Sequence, residues 1–133
     1  MTWRAQVEAL RADGFDVLDW LSAQEDGQGG VTVTACLIRS RDPAQPCLVH
    51  APAPVPSLVD LFPSAAWHER ETAEMFGLVF EGHPDHRPLL LPDGPVGPLR
   101  KVSALPNRLQ AWPGAVDPAK PRRSQSPPGT PWQ

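Results

Sequence analysis

The chain has 133 residues, 18 prolines and a formal net charge of −3, and its length fits one domain of ordinary size. The charge is uneven, because residues 1–105 carry 8 basic and 14 acidic side chains and residues 106–133 carry 4 and 1. An acidic body argues against a nucleic-acid groove, which needs clustered positive charge. With no export signal and no run of 18 apolar residues, the sequence predicts neither secretion nor a membrane-spanning helix.

The chain begins with a predicted amphipathic helix at residues 2–13. Trp3, Val7 and Leu10 recur at helical spacing, which places them on one face. Gly14 follows at the position where glycine often ends a helix.

Three strands are predicted after this helix. The second has the clearest period of two, with Val31, Val33, Ala35 and Leu37 on one side. Glycines at residues 25–30 and prolines at residues 42–46 predict the turns. The predicted strands cover residues 15–23, 31–40 and 47–50.

Residues 51–57 are predicted to be extended, because every second residue is a proline. Ser57 and Asp60 then have the spacing of a capping box around a single helical turn. The main helix is predicted to begin at Pro63-Ser64 and to end at Phe76, with Gly77 in the left-handed conformation. The predictions beyond it are a short extended segment at residues 78–80, an apolar run at 87–91 and a turn at 93–95.

This order of elements predicts an α+β fold, a two-layer sandwich with helices on one face of a small mixed or antiparallel sheet. The predicted domain covers residues 1–105. Seven prolines fall within residues 106–133, so we predict a disordered, proline-rich, basic tail there.

The titratable residues do not form a recognisable catalytic pattern. On the main helix, Glu69 lies roughly 200° from Glu71, so these carboxylates and Glu74 should not converge. His83 and His86 supply two metal ligands with nothing of suitable spacing to complete a site, and a turn is the favoured interpretation.

Cofactor sites are not predicted either. Cys36 and Cys47 are too few for a zinc or iron–sulfur centre, and two reduced thiols are the favoured interpretation. The glycines before Arg100-Lys101 lack the P-loop pattern, and the chain has no Rossmann fingerprint. We therefore predict no catalytic, cofactor-binding or metal-binding residues, and an interaction subunit is the favoured class.

Five short motifs in one order resemble the 30 kDa subunit family of respiratory complex I, whose bacterial members are the C subunits of NADH–quinone oxidoreductase. The motifs are Pro56-Ser57-Leu58, Trp67-His68-Glu69-Arg70-Glu71, Met75-Phe76-Gly77, Phe80-Glu81-Gly82-His83-Pro84 and Pro98-Leu99-Arg100-Lys101. This chain departs from the family pattern at Glu74, where Asp is common, at Arg87, which stands without a second arginine, and at Val102, where Asp is usual.

The resemblance implies a protein without flavin, iron–sulfur cluster or quinone of its own. It implies packing in the peripheral arm against the 49 kDa-like subunit that forms the quinone pocket and against iron–sulfur subunits. The implied location is the cytoplasmic side of the bacterial inner membrane, as a peripheral part of the complex. The residues that we expect at the partner interface are Trp67, Glu69, Arg70, Glu71, Glu74, His83, Asp85, Arg87, Arg100 and Lys101.

Two other functions stay open at the level of the sequence. One is the equivalent subunit of a membrane-bound group 4 hydrogenase or a formate-hydrogenlyase-like complex. The other is a small metal-dependent hydrolase that uses His83, His86 and the helix carboxylates.

Overall fold

The computed structural model describes residues 1–91 and 96–103, and these form the α+β fold that the sequence predicts. Three strands make an antiparallel sheet in the order β1-β2-β3, and β4 and β5 form a short parallel pair. The elements are α1 (Trp3–Ala12), β1 (Val17–Glu25), β2 (Val31–Arg39), β3 (Asp42–Pro52), β4 (Val55–Pro56), α2 (Ala65–Phe76) and β5 (Phe80–Glu81). The predicted turn at 93–95 and the predicted tail at 106–133 lie outside the described residues.

Helix α1 ends in a Schellman motif. The N–H of Gly14 donates to the Arg11 carbonyl at 3.1 Å, and the N–H of Phe15 donates to the Leu10 carbonyl at 3.1 Å. Gly14 has a φ of 93°, which a side chain would disfavour. The predicted helix and its glycine stop are confirmed. Because Phe15 takes part in this stop, β1 begins at Val17 rather than at residue 15.

The central strand β2 supplies one wall of the core. Its alternate residues Val31, Val33, Ala35 and Leu37 are buried, as the period of two predicts. Both helices pack on this side of the sheet, since side chains of α1 and α2 share one core with β2. The members of that core are Trp3, Val7, Phe15, Leu18, Leu21, Val33, Ala35, Leu37, Val49, Val55, Leu58, Phe62, Ala65 and Phe80.

Strand β3 is longer than predicted. The sequence predicts a strand at residues 47–50 after a turn at 42–46, whereas β3 runs from Asp42 to Pro52. The prediction is wrong because β3, within the described residues, pairs only with β2, so prolines are tolerated on a strand that needs donors along one side alone. The pairing is irregular between Leu37 and Arg39, opposite the proline-rich part of β3.

The segment after β3 is extended as predicted, and it ends in β4, which pairs with β5. The predicted capping box at Ser57 and Asp60 is half formed, because the Ser57 hydroxyl accepts a hydrogen bond from the Val59 N–H at 3.2 Å. Leu61 and Phe62 do form a turn by donating to the Leu58 carbonyl, at 3.0 and 2.8 Å. However, the Asp60 carboxylate pairs with Arg4 of α1, and the Ser57 N–H donates to Glu81. Both the Asp60 carboxylate and the Ser57 N–H thus bond a residue distant in the sequence rather than each other.

Two leucines on adjacent strands should differ sharply in their contribution to stability. Leu37 is fully buried, while Leu48 is 49% exposed on the opposite face of the sheet. We expect Leu37→Ala to cost about 2–5 kcal/mol of unfolding free energy, because it leaves a cavity. We expect Leu48→Ala to cost much less. Urea unfolding of the two variants measures the difference, and similar losses would contradict the assigned faces of the sheet.

Candidate functional site

The candidate site is the exposed side of α2 together with two segments that lie against it. We call residues 83–91 the loop and residues 96–103 the arm. Helix α2 begins after Ser64, which makes no side-chain capping bond, and it ends at Gly77 with φ 64° and ψ 40°. The predicted left-handed glycine is therefore confirmed. All ten residues that the sequence analysis assigns to a partner interface lie on α2, the loop or the arm.

Glu69 lies on the buried side of α2 and is fully inaccessible to solvent. Its carboxylate accepts a hydrogen bond from the Ser57 hydroxyl at 2.6 Å and another from the Leu58 N–H at 2.7 Å. Burial raises the pKa of the Glu69 carboxyl, and these two hydrogen bonds oppose the rise. Glu69 thus joins α2 to the turn after β4 and faces away from the exposed surface.

His83 is also buried, and its ring stabilises the turn that begins at this residue. Its Nδ1 accepts a hydrogen bond from the Asp85 N–H at 2.9 Å. This bond leaves Nε2 as the protonated nitrogen, and Nε2 lies 3.1 Å from the Ala66 carbonyl, which accepts. Nε2 is 3.9 Å from the Glu69 carboxylate. The predicted structural turn is confirmed, and both ring nitrogens are occupied within the chain.

Arg70 holds the loop against α2. Its guanidinium donates to the carbonyls of Arg87 and Pro88 at 3.0 Å each, and it lies 3.4 Å from the Asp85 carboxylate. Asp85 also accepts from the Arg87 guanidinium at 2.9 and 2.8 Å. These bonds hold the pKa of the Asp85 carboxyl well below its usual range, and the hydrogen bonds from Arg87 have the largest effect.

Glu74 binds the backbone of the leucine run. Its carboxylate accepts from the N–H groups of Leu89 at 3.0 Å and Leu90 at 2.9 Å, and from that of Leu91. The bonds from the loop backbone lower the pKa of the Glu74 carboxyl. The apolar run at residues 87–91 is therefore a loop shaped around one carboxylate.

The arm supplies the hydrogen bonds that the end of α2 lacks. The last carbonyls of a helix have no partner within the helix. Here Gly97 N–H donates to the Glu74 carbonyl at 3.2 Å, and Leu99 N–H donates to the Met75 carbonyl at 2.9 Å. The Arg100 guanidinium reaches the Phe76 carbonyl at 3.4 Å.

Arg100 and Lys101 also fasten the arm to the β1–β2 hairpin. The Arg100 guanidinium donates to the Gly29 carbonyl at 3.0 Å and lies 3.6 Å from the Glu25 carboxylate. The backbone N–H of Lys101 donates to Glu25 as well. The sequence does not predict Glu25 and Ser57 as partners of this site, since each lies on a different element from the residue that it bonds.

The surface above these contacts exposes several large apolar side chains. Trp67 is 66% exposed, and its ring lies 5.6 Å from the Arg70 guanidinium. Glu71 is exposed one helical turn further on, and no hydrogen bond or ion pair of its side chain appears among the described residues. The other large exposed side chains here are Val79, Leu90, Leu91, Val96, Leu99 and Val102.

The arrangement gives no support to a hydrolase. The described parts of the chain hold no group of three or more His, Cys, Asp or Glu side chains placed to bind a metal ion. A cavity of about 350 Å³ lies between α2 and the loop, and four of its titratable groups, Glu69, Glu74, His83 and Asp85, are hydrogen-bonded within the chain. His86 also lines the cavity, but one imidazole is too few ligands for a metal site. Both cysteines are free thiols. Within the described residues, no helix is long and apolar enough to cross a membrane.

Comparison with known proteins gives consistent matches. The family described as respiratory-chain NADH dehydrogenase, 30 Kd subunit, matches residues 1–108. The chain is 35% identical to the J subunit of NAD(P)H-quinone oxidoreductase from the Paulinella chromatophora organellar chromatophore over 124 residues, which cover 76% of this chain and 65% of that protein. It is 55% identical to the C subunit of NADH-quinone oxidoreductase from Methylobacterium radiotolerans over 49 residues, 36% of this chain and 23% of that protein.

A third relative is the C/D subunit of NADH-quinone oxidoreductase from Rhodopseudomonas palustris, with 38% identity over 104 residues, 73% of this chain and 18% of that protein. The chain therefore spans between 18% and 65% of the length of these three relatives.

The stability contributed by Glu69 should depend on pH. Because its pKa is raised on folding, the folded chain holds this proton more tightly than the unfolded chain does. The resulting stabilisation is fully present below the ordinary value of 4.5 and is lost as pH rises through the raised value. Glu69→Gln stays neutral at all pH values. We therefore expect its unfolding free energy to increase relative to wild type as the pH rises above 4.5 toward neutral pH, and to level off above the raised pKa.

Urea unfolding across that range measures the trend, and Glu71→Gln controls for loss of one charge on the exposed side of α2. We expect this control to stay within about ±0.5 kcal/mol of wild type at neutral pH. A Glu69→Gln difference that is flat or falling with pH would contradict the raised pKa.

Alanine variants at two glycines can distinguish close docking of the arm from backbone strain. Gly97 has a φ of 65°, and an added Cβ would lie 3.1 Å from the Phe76 carbonyl carbon and 3.3 Å from the Gly77 nitrogen. Gly82, which makes no hydrogen bond to the arm, has a φ of 81° with nothing among the described residues within 4 Å of an added Cβ. Both alanine variants should lose the roughly 1–2 kcal/mol of a left-handed non-glycine residue. Gly97→Ala should lose more and should speed amide exchange at Leu99, whereas equal losses would show that the arm does not dock closely.

Proposed function

The chain belongs to the respiratory-chain NADH dehydrogenase 30 kDa subunit family, and on that premise we propose that it is a structural subunit of a proton-translocating NADH–quinone oxidoreductase. It contributes to electron transfer by assembly and carries no redox centre itself. The names of the relatives, all subunits of quinone oxidoreductases, support the host complex.

The observation that carries the proposal is that charged and apolar side chains have different roles at the candidate site. The charged groups of Arg70, Glu74, Asp85 and Arg100 are committed to contacts within the chain. Large apolar side chains lie exposed around them, and Trp67 is the largest. An apolar surface held in shape by internal polar contacts is typical of a protein interface.

We therefore propose this face as the partner interface, with two kinds of residue in it. Trp67 and Glu71 contact a partner directly, and so does the exposed part of Arg87. The remaining residues of the predicted set hold the surface in shape. Glu69 belongs to this second group, because it is fully buried behind α2.

The partners that we propose are the 49 kDa-like subunit that forms the quinone pocket and the iron–sulfur subunits of the peripheral arm. The proposed location is the cytoplasmic side of the bacterial inner membrane. Cys36 and Cys47 support the absence of a cluster, because they lie on different strands and two thiolates fall short of the four that such clusters take.

Trp67→Ala and Glu71→Ala should impair assembly while leaving the free subunit intact. An aromatic anchor at an interface typically contributes about 2 kcal/mol or more, and truncating one partner of a buried interfacial charge pair costs about 2–5 kcal/mol. Removal of an exposed side chain from the free subunit costs within about ±0.5 kcal/mol. The measurements are thermal unfolding of the free subunit and the amount of subunit recovered in the purified membrane complex.

Glu81→Ala is the matched control, since Glu81 is exposed and lies off this face, on β5. We expect it to assemble normally. Normal assembly and quinone reduction by both site variants would contradict the interface. Recovery of the chain with nickel-site subunits, in place of NADH-oxidising ones, would assign it to a hydrogenase.

A further inference from the structure

The face of the sheet opposite the helices is divided into an apolar half and a polar half. In register across the three strands, Trp20 pairs with Cys36, and Cys36 pairs with Leu48. Val17 and Ile38 form the next row on this face. Trp20 is 38% exposed and Leu48 is 49% exposed, although the open face of an antiparallel sheet is ordinarily polar.

The other half of the same face is polar, as the open face of an antiparallel sheet ordinarily is. Ser22 pairs with Thr34, and Thr34 pairs with His50. The Thr34 hydroxyl and His50 Nδ1 are hydrogen-bonded at 2.8 Å. The apolar side chains are thus concentrated at one end of the sheet, and we call Val17, Trp20, Cys36, Ile38 and Leu48 the back patch.

One carboxylate lies beside the back patch. Asp19 occupies an irregularity in the pairing of β1 with β2, between Leu18 and Trp20. It lies near the Cys36 thiol, whose pKa is raised by burial and also by this negative charge. Asp19 is exposed, and no hydrogen bond or ion pair of its side chain appears in the described part of the chain. An apolar patch with one free acidic group is complementary to an apolar surface with one basic group.

The dimensions of the sheet fit a single helix. Three strands spaced about 4.8 Å apart place the outer strands about 10 Å from each other, close to the roughly 10–12 Å diameter of an α-helix. A nine-residue strand is about 30 Å long, so the whole face is smaller than the roughly 800 Å² per partner of a stable interface. This size favours one added element within a larger assembly. A second copy of the chain is disfavoured because its back patch would add a second Asp19 carboxylate to the interface.

We propose that the back patch binds an amphipathic helix of another subunit, with apolar residues on Trp20 and Leu48 and a lysine or arginine opposite Asp19. The inference rests on the proposed function, because it needs the chain to be assembled. It adds a second interface on the side of the sheet remote from α2 and the arm.

The test uses the full chain within the purified complex, isolated through a tag on another subunit. A photo-reactive benzoylphenylalanine replaces Leu48, and in a control it replaces Glu8, which is exposed on α1 in the other layer. After irradiation, we expect Leu48 to cross-link to one peptide of another subunit that has apolar residues at helical spacing and a basic residue among them. Glu8 should not cross-link to that peptide.

Charge reversal supplies the second measurement. Asp19→Lys should lower the amount of subunit in the complex about tenfold, and Asp19→Asn should lower it less. Glu81→Lys, which makes the same change away from the back patch, should have no such effect. Changing the basic residue of the cross-linked peptide to Asp should restore assembly of Asp19→Lys.

The outcomes separate this inference from the function on which it rests. If the chain is recovered in the complex but Leu48 cross-links to nothing, to lipid, to this same chain or to a second copy, this inference alone is wrong. If the wild-type chain is absent from the complex, both the inference and the proposed function are wrong.

Discussion

The buried carboxylate of Glu69 is the interaction on which the rest of the site depends. It fixes α2 to the turn after β4 through Ser57 and Leu58, and it lies beside the buried ring of His83, which begins the loop. A carboxylate removed from water is costly unless its oxygens are hydrogen-bonded. Both oxygens of Glu69 are bonded, so this side chain, together with the buried Ala65 and Phe76, restricts the position and rotation of α2.

Next to Glu69, the charged residues of α2 bond backbone groups that would find their partners in a helix or a sheet elsewhere. Glu74 binds three consecutive N–H groups of the loop, and Arg70 binds two of its carbonyls. The arm in turn binds the last carbonyls of the helix. Loop and arm belong to no helix or strand in the described residues, yet many of their backbone groups are paired by α2 and by each other, as buried or part-buried backbone requires. Charged side chains clustered on one helix can therefore fix the conformation of irregular backbone beside it.

The sequence predicts the regular parts of this fold because their signals are local. The alternation in Val31–Arg39 identifies β2, and Gly77 marks the end of α2. The helical angle also separates Glu69 from Glu71 correctly, but it cannot say which of the two is buried, and acidic residues are rarely buried. The length of β3 and the partners Ser57 and Glu25 depend on contacts distant in the chain. The motifs thus indicate that the site exists, while its hydrogen bonds require the tertiary structure.

The capping of α2 by the arm has a consequence for synthesis of the chain. Helix α2 ends at Phe76, but the donors for its last carbonyls stand at residues 97–100. The arm also contacts Gly29 and Glu25, with sequence separations of 71 and 76 residues. Contacts this distant form after local ones, since the intervening chain must first be closed into a loop. On the ribosome, the last carbonyls of α2 therefore bond to water until the arm emerges, and the end of the exposed face beside the arm acquires its shape last.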